Sequence, residues 1–336
     1  MFSESYRALK NVLSFPKTIT ILSHRNPDGD ALGSSLALSL YLQSKGHKVY
    51  VVLPSEYPLN FEWMPQVEEI IVYDLSQNLA EEKIKQAELI FCLDFNSLER
   101  IDKMGVMVSS SEATCIMVDH HLEPEPFADI QFSDTSASST CELIYRILRE
   151  LEPDKPIAQL QRDCIYTGLM TDTGSFKHGT SSEVFDIMSQ LKSWGLEDTR
   201  LYNLIMNSHP DKYLKLIGHC LHNRMELLNH LRVGIIHLTR DDYKQFDIQR
   251  GDTEGIINYL MMLKNVQVGA IVMHQPSIVK LSLRSKGNIS VQEICRDHFN
   301  GGGHFNASGG SSKLGMDETL KKLKEVFEEK FGSPKN

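Results

Sequence analysis

Six residues of two types carry the chemistry this chain offers: His24, Asp28, Asp30, Asp94, His120 and Asp172. They fall in four places. These are His24-x-x-x-Asp28-x-Asp30, a lone Asp94, the triplet Asp119-His120-His121, and Asp172 within Thr171-Asp172-Thr173-Gly174. Imidazole with several carboxylates and no thiolate suits a borderline-hard divalent cation. Mn²⁺ fits best, with Mg²⁺ or Co²⁺ as alternatives, whereas a structural zinc site would more often use cysteine. Two histidines and four aspartates are too many ligands for one ion that keeps an open position. They suit two ions a few ångströms apart, with one carboxylate between them. Taken singly, an aspartate after a strand is ordinarily a helix cap, and a His-His pair is ordinarily surface or core. Four such clusters together point to a metal centre.

The elements around these residues bear on whether they can meet. Residues 18–22 form an apolar run that predicts a buried strand, and residues 31–45 read as a helix. The first cluster therefore sits in a turn at a strand's carboxyl end, shaped by Pro27 and Gly29. Asp94 ends the apolar run 89–93 and Asp119 follows the run 114–118; further strands are predicted at 49–53 and 70–73, and helices at 79–86 and 96–103. Apolar strands alternating with helices predict an α/β fold with a mostly parallel sheet covered by helices on both faces. Such a sheet brings its carboxyl ends to one edge, so the first three clusters converge. Helices at 138–151, 157–170 and 181–192 follow.

After Gly195 the pattern becomes polar and irregular, through Asn207-Ser208-His209-Pro210. This predicts a first domain over 1–195, a linker over 196–215 and a smaller α+β domain over 216–336. The second domain offers strands at 231–238, 266–274 and 278–283, and helices at 253–262, 291–299 and 317–331. The active site is expected in the cleft between the domains. In the second domain, Gly301, Gly302 and Gly303 would let backbone N–H groups approach a phosphate closely. His304 then adds a donor, and Arg284, near the end of an apolar strand, can grip a phosphate bidentately.

The bulk numbers set limits. A net charge of −9 over 336 residues argues against wrapping a long nucleic acid. It leaves room for a short phosphorylated ligand, since bound cations reverse the local sign. No apolar run approaches the length of about 18 residues that a membrane span needs, and the first residues lack a secretory pattern. Six scattered cysteines without C-x-x-C spacing read as buried free thiols in a reducing compartment, so a cytoplasmic location is expected.

The run H-x-N-P-D-x-D-A-x-G-S, an isolated Asp, then D-H-H and T-D-T-G resembles the DHH phosphoesterase superfamily. Residues 300–310, with Gly301-Gly302-Gly303-His304, resemble the G-G-G-H signature of its DHH-associated domain. Size and motif spelling are similar to the compact bifunctional members, nanoRNases that also act as phosphatases on 3′-phosphoadenosine 5′-phosphate. The resemblance implies an Mn-dependent exoribonuclease and nucleotide phosphatase acting on short oligonucleotides. It implies that His24, Asp28, Asp30, His120 and Asp172 bind two Mn²⁺ ions and that Asp94 bridges them. His121 would lie toward the substrate phosphate, with Asp119 orienting the histidines. Arg284, Ser285, Gly301, Gly302, Gly303 and His304 would hold the nucleotide, and Arg284 and His304 would also stabilise charge during reaction. A homodimer through the first domain is expected from the family. The nearest alternative is a cyclic or linear dinucleotide phosphodiesterase on the same scaffold. More distant ones are a pyrophosphatase or polyphosphatase, and a non-catalytic nucleotide-binding module.

Overall fold

A computed structural model describes residues 2–249 and 251–332. The chain divides into two compact units, the first ending at Ser208 and the second beginning at His209. The sequence suggests a frayed end over residues 332–336, of which 333–336 lie outside the described residues.

The first unit begins with α1 (Ser3–Val12), β1 (Thr18–Ser23), α2 (Gly29–Ser44), β2 (Lys48–Leu53), β3 (Ile71–Val72) and α3 (Gln77–Lys85). It continues with β4 (Leu89–Leu93), α4 (Lys103–Ser109), β5 (Thr114–Asp119) and β6 (Ile130–Ser133). Four helices complete it: α5 (Thr140–Leu151), α6 (Gln159–Asp172), α7 (Ser182–Ser193) and α8 (Asp198–Met206). The strands form one parallel sheet in the order β3-β2-β1-β4-β5-β6. Alternate residues of a strand point to opposite faces, and both faces are covered. Ile19, Ile21, Phe91 and Leu93 join Leu32, Leu36, Ile144, Ile165 and Leu169 from α2, α5 and α6. Leu22, Ile90 and Cys92 join Ala80, Ile84, Met104 and Val108 from α3 and α4.

The strand order reverses between β1 and β4, which is where open α/β sheets bind ligands. Ser23 pairs with Leu93, and Leu93 with Val118. The next residues along, His24, Asp94 and Asp119, therefore lie side by side at the carboxyl edge of the sheet. Helices α2 and α6 lie close because Gly33 carries no side chain: a Cβ there would stand 2.5 Å from the Cys164 carbonyl oxygen. This contact brings the end of α6, with Asp172, to the start of α2, with Asp28 and Asp30.

Three local expectations are corrected. Residues 96–103 form not one helix but a 3₁₀ turn, Leu98–Ile101, followed by α4, with the break at Asp102, whose φ is 49°. The stretch 196–215, read as an irregular linker, is largely helical: α8 buries Leu201 and Ile205 in the first core, and α9 (Asp211–His219) buries Tyr213, Leu216 and Ile217 in the second. Strand β6 was not foreseen, since its four residues are too short a run to stand out.

The second unit continues with β7 (Met225–Leu228), β8 (Val233–Leu238), α10 (Arg240–Gln245), α11 (Ile256–Met261), β9 (Val268–His274) and β10 (Val279–Ser285). It ends with α12 (Val291–His298), β11 (Gly302–His304), β12 (Ala307–Ser312) and α13 (Met316–Phe331). Its sheet runs β11-β12-β10-β9-β8-β7 and is antiparallel except where β8 meets β9. Helices α12 and α13 pack on one face through Ile294, Leu323 and Phe327, and α9 and α11 on the other through Leu216 and Leu260. Helix α11 starts three residues later than its apolar pattern suggests, because Gly255 takes a left-handed conformation with φ 77°. Among the described residues no helix is long and apolar enough to cross a membrane. All six cysteines are buried and unbridged.

Candidate metal centre

The turn after β1 sets the first imidazole. His24 is buried, and its Nδ1 lies 2.9 Å from the carbonyl oxygen of Arg25. A carbonyl only accepts, so Nδ1 carries a proton, and in the neutral ring Nε2 holds the lone pair. That lone pair faces carboxylates: Asp94 Oδ2 at 3.3 Å and Asp28 Oδ1 at 4.0 Å. His120 repeats the arrangement. Its Nδ1 lies 3.3 Å from the Ala137 carbonyl oxygen. Its Nε2 faces Asp172 Oδ2 at 3.1 Å, Asp94 Oδ1 at 3.6 Å and Asp30 Oδ2 at 3.8 Å.

Each carboxylate has its own anchor. Asp28 caps α2, its Oδ1 accepting the backbone N–H of Asp30 and of Ala31 at 3.0 and 3.1 Å. It is thus both the helix cap that an isolated aspartate would be and a member of the cluster. Asp30 is fully buried and accepts the backbone N–H of Thr140 at 2.6 Å and of Cys141 at 2.9 Å, at the start of α5. Unpaired N–H groups and the helix dipole make that end a seat for an anion. Asp94 adopts a left-handed backbone with φ 65°, which aspartate tolerates better than most residues. Its Oδ1 also accepts the hydroxyl of Thr140 at 3.1 Å. Asp172 is the last residue of α6.

Within the first unit three groups of close ligand atoms result: His24, Asp28 and Asp94; Asp30, His120 and Asp172; and Asp94, Asp119 and His121. Asp94 turns one oxygen to each imidazole, Oδ2 to His24 and Oδ1 to His120. Without a cation, charges so crowded must share protons. Burial, reinforced by the charges of Asp94 and Asp172, holds the Asp30 carboxyl well above its ordinary range. Burial also opposes ionisation of Asp94, but hydrogen bonds with His120 and His24 outweigh it and hold that carboxyl well below its range. Burial would lower the His120 pKa, yet Asp172 and Asp94 raise it well above the usual imidazole value. Two imidazole lone pairs aimed at four carboxylates are repulsive unless protons or cations intervene. Two divalent cations would balance the four negative charges, so the donor set could hold metal ions.

His121 stands beside this pairing, its Nδ1 3.7 Å from Asp94 Oδ1, but its hydrogen bonds go to Asp119. Its Nδ1 donates to Asp119 Oδ1 at 2.7 Å, and its backbone N–H donates to Asp119 Oδ2 at 3.2 Å. Asp119 is fully buried, so it acts as a fixed orienting group for that ring.

Thr140 and Gly168 were not singled out from the sequence. Thr140 supplies a hydroxyl to Asp94 and an N–H to Asp30, and Gly168 leaves room for the Asp30 carboxylate. A signal for the first was present: Ser139-x-x-Glu142 is a capping-box spacing, and Ser139 Oγ does accept the Glu142 N–H, at 3.1 Å. Gly168 left no such mark.

The remaining candidates lie in the second unit. His304, Ala307 and Arg284 are register partners across β11, β12 and β10, so the histidine and the arginine share a face with a small residue between them. The glycine tract is a strand rather than an open loop. A Cβ on Gly301 would lie 2.0 Å from the Gly309 carbonyl oxygen, and one on Gly303 2.8 Å from that of Ala307. Both are glycine because chains approach closely there, and Gly302 alone of the three faces open space. Ser285 donates its hydroxyl to the Ile289 carbonyl at 2.6 Å and accepts from Asn306 Nδ2 at 2.8 Å. It holds its own turn and can offer a ligand only an acceptor.

Known proteins resemble this chain in sequence and fold. The N-terminal domain of the DHH family matches residues 18–169, and the DHHA1 domain matches residues 232–333. The chain is 28% identical over 312 residues to a probable bifunctional oligoribonuclease and PAP phosphatase NrnA of Streptococcus mutans, covering 91% of this chain and 94% of that one. It is 37% identical to an exopolyphosphatase-related protein from Bacteroides fragilis, whose crystal structure superposes with a TM-score of 0.91 over 97% of this chain and 96% of that one. RecJ from Thermus thermophilus, solved in complex with Mn²⁺, shares the fold with a TM-score of 0.55 at 14% identity, over 99% of this chain and 55% of that one. A parallel sheet followed by a mixed-sheet domain is thus shared with the two solved structures, and the chain belongs to the DHH family of phosphoesterases.

Proposed function

We propose that the chain hydrolyses phosphoester bonds in very short oligonucleotides, releasing 5′-mononucleotides, and also removes a phosphate from 3′-phosphoadenosine 5′-phosphate to give AMP. Asp94 carries this reading, with one oxygen 3.3 Å from His24 and the other 3.6 Å from His120. Similarity to the Streptococcus mutans relative over 91% of the chain supports the substrate class. The two activities are chemically one: each breaks the bond between phosphorus and a ribose 3′-oxygen.

In this reading two divalent cations, Mn²⁺ by preference, are held by His24, Asp28 and Asp94 and by Asp30, Asp94, His120 and Asp172. When bound they supply Lewis acidity for phosphoryl transfer to water. The chain's own residues orient the reaction. Asp119 fixes the His121 ring and leaves Nε2, when protonated, as the nitrogen that donates to a phosphoryl oxygen. Arg284 and His304, on either side of Ala307, grip a nucleotide phosphate, and Gly302, two residues before His304, leaves its backbone open to approach. The net charge of −9 favours short substrates, since long strands need an extended basic track.

The test is a substrate panel. Purified protein with Mn²⁺ is offered a dinucleotide, a long single strand, a cyclic dinucleotide, pyrophosphate and 3′-phosphoadenosine 5′-phosphate. Highest kcat/KM on the dinucleotide, with release of AMP from the last compound, is expected. Preference for the long strand, the cyclic dinucleotide or pyrophosphate overturns the assignment.

A further inference from the structure

We propose that Arg25 is a positioning residue for His24. Clamped by Asp74 and Asp102, it fixes the peptide that sets the His24 tautomer, and so tunes the affinity of the cation assigned to His24, Asp28 and Asp94; this rests on the metal assignment above. Arg25 Nη1 and Nη2 bind Asp74 Oδ2 and Oδ1 at 2.8 and 2.9 Å, a bidentate pair, and its Nε binds Asp102. Its backbone is held as firmly, with the N–H donating to the Arg100 carbonyl at 2.8 Å. The next residue, Asn26, has φ 57° and donates its N–H to Ser55 Oγ at 2.9 Å. Loops after β2, β3 and β4 thus all grip the two residues that follow His24.

The consequence falls on one atom. The Arg25 carbonyl accepts the His24 Nδ1 proton at 2.9 Å. While that bond holds, Nε2 is the free donor that faces Asp94 and Asp28. If the peptide turns, the proton can move to Nε2, which can then no longer bind a cation. Groups that orient a ligand's ring in this way ordinarily change metal affinity about 10- to 100-fold. A role in folding stability alone is disfavoured by exposure. The side chains of Arg25, Asp74 and Asp102 are 34, 43 and 44% exposed, and ion pairs at such positions contribute little to stability.

The test titrates Mn²⁺ into the full-length protein by calorimetry, with the number of bound ions read alongside the melting temperature. The wild type is expected to bind two ions. Arg25→Ala, Asp74→Asn and Asp102→Asn should each weaken one binding phase about 10- to 100-fold and leave the other in place. The Arg25→Ala/Asp74→Asn double variant should be no worse than Arg25→Ala alone, because the residues act as one unit. Two unchanged phases in all three variants overturn the proposal. So does equal weakening of both phases with a lowered melting temperature, since that is a general structural effect. A wild-type chain that binds fewer than two ions, with His24→Ala indistinguishable from it, overturns the metal assignment itself and the proposal with it.

Discussion

A Cβ on Gly168 would lie 2.4 Å from Oδ1 of Asp30. The carboxylate has nowhere to retreat, because both its oxygens accept backbone N–H groups at the start of α5. The same Cβ would stand 2.3 Å from Cys141 Sγ. In a helix interior, glycine to alanine ordinarily stabilises by about 1 kcal/mol. Here overpacking, at about 1–3 kcal/mol, outweighs that gain. Gly168→Ala is expected to lower stability in urea unfolding and to weaken Mn²⁺ binding. A variant more stable than the wild type would refute the crowding.

Asp119 offers a separation of roles. It holds His121 through two hydrogen bonds, and although it lies close to Asp94 and His121 it is in neither the group of His24, Asp28 and Asp94 nor that of Asp30, His120 and Asp172. Asp119→Ala should therefore lower kcat about 10- to 100-fold while the number of bound Mn²⁺ ions stays as in the wild type. Loss of an ion in this variant would instead make Asp119 a ligand.

The acidic and histidine residues were legible because type and strand position sufficed: a parallel sheet gathers its carboxyl ends whatever the details of packing. Thr140 and Cys141 were not, since they act on Asp30 through backbone N–H groups that any residue possesses. Gly168 acts through an atom it lacks, visible only once α2 and α6 are packed. Nothing in the tract Gly301–Gly303 announces a strand, because glycine disfavours strands. Close approach to Gly309 and Ala307 overrides that preference and makes part of it β11. Helix α8 is hard to read because its apolar residues mark no single face: Leu201 and Ile205, at i and i+4, are buried, while Tyr202 and Met206 are exposed.

Asp94 allows a clean test of the shared carboxylate. Its left-handed backbone, φ 65°, is one that asparagine also adopts readily, so Asp94→Asn should fold normally. The amide keeps one oxygen but turns an NH₂ group toward the other imidazole, and it removes the charge between the two groups. Turnover should fall by at least about 1000-fold, roughly 4 kcal/mol in barrier, and Mn²⁺ titration should lose at least one ion. Near-wild-type rates with normal circular dichroism would remove Asp94 from the centre of the site.

The second unit has an electrostatic anchor of its own in Asp242. Its Oδ1 accepts from His219 Nε2 at 2.8 Å and from Arg224 Nη2 at 2.9 Å, and its Oδ2 accepts the N–H and hydroxyl of Thr239, both at 2.8 Å. Burial pushes this carboxyl up, but the bonds from Arg224, Thr239 and His219 outweigh it and hold the pKa below the ordinary 3.8. The unfolded chain therefore binds the proton first as pH falls. The stabilisation is complete above about pH 4 and disappears as pH drops through the folded-state value. Asp242→Ala should cost about 2–3 kcal/mol at neutral pH, and the gap to the wild type should close below about pH 4. Both tryptophans, Trp63 and Trp194, lie in the first unit, so their fluorescence does not report on this one. Amide hydrogen exchange in β8 and α10 does, and a gap that stays constant from neutral to acid pH would show that Asp242 acts by shape rather than charge.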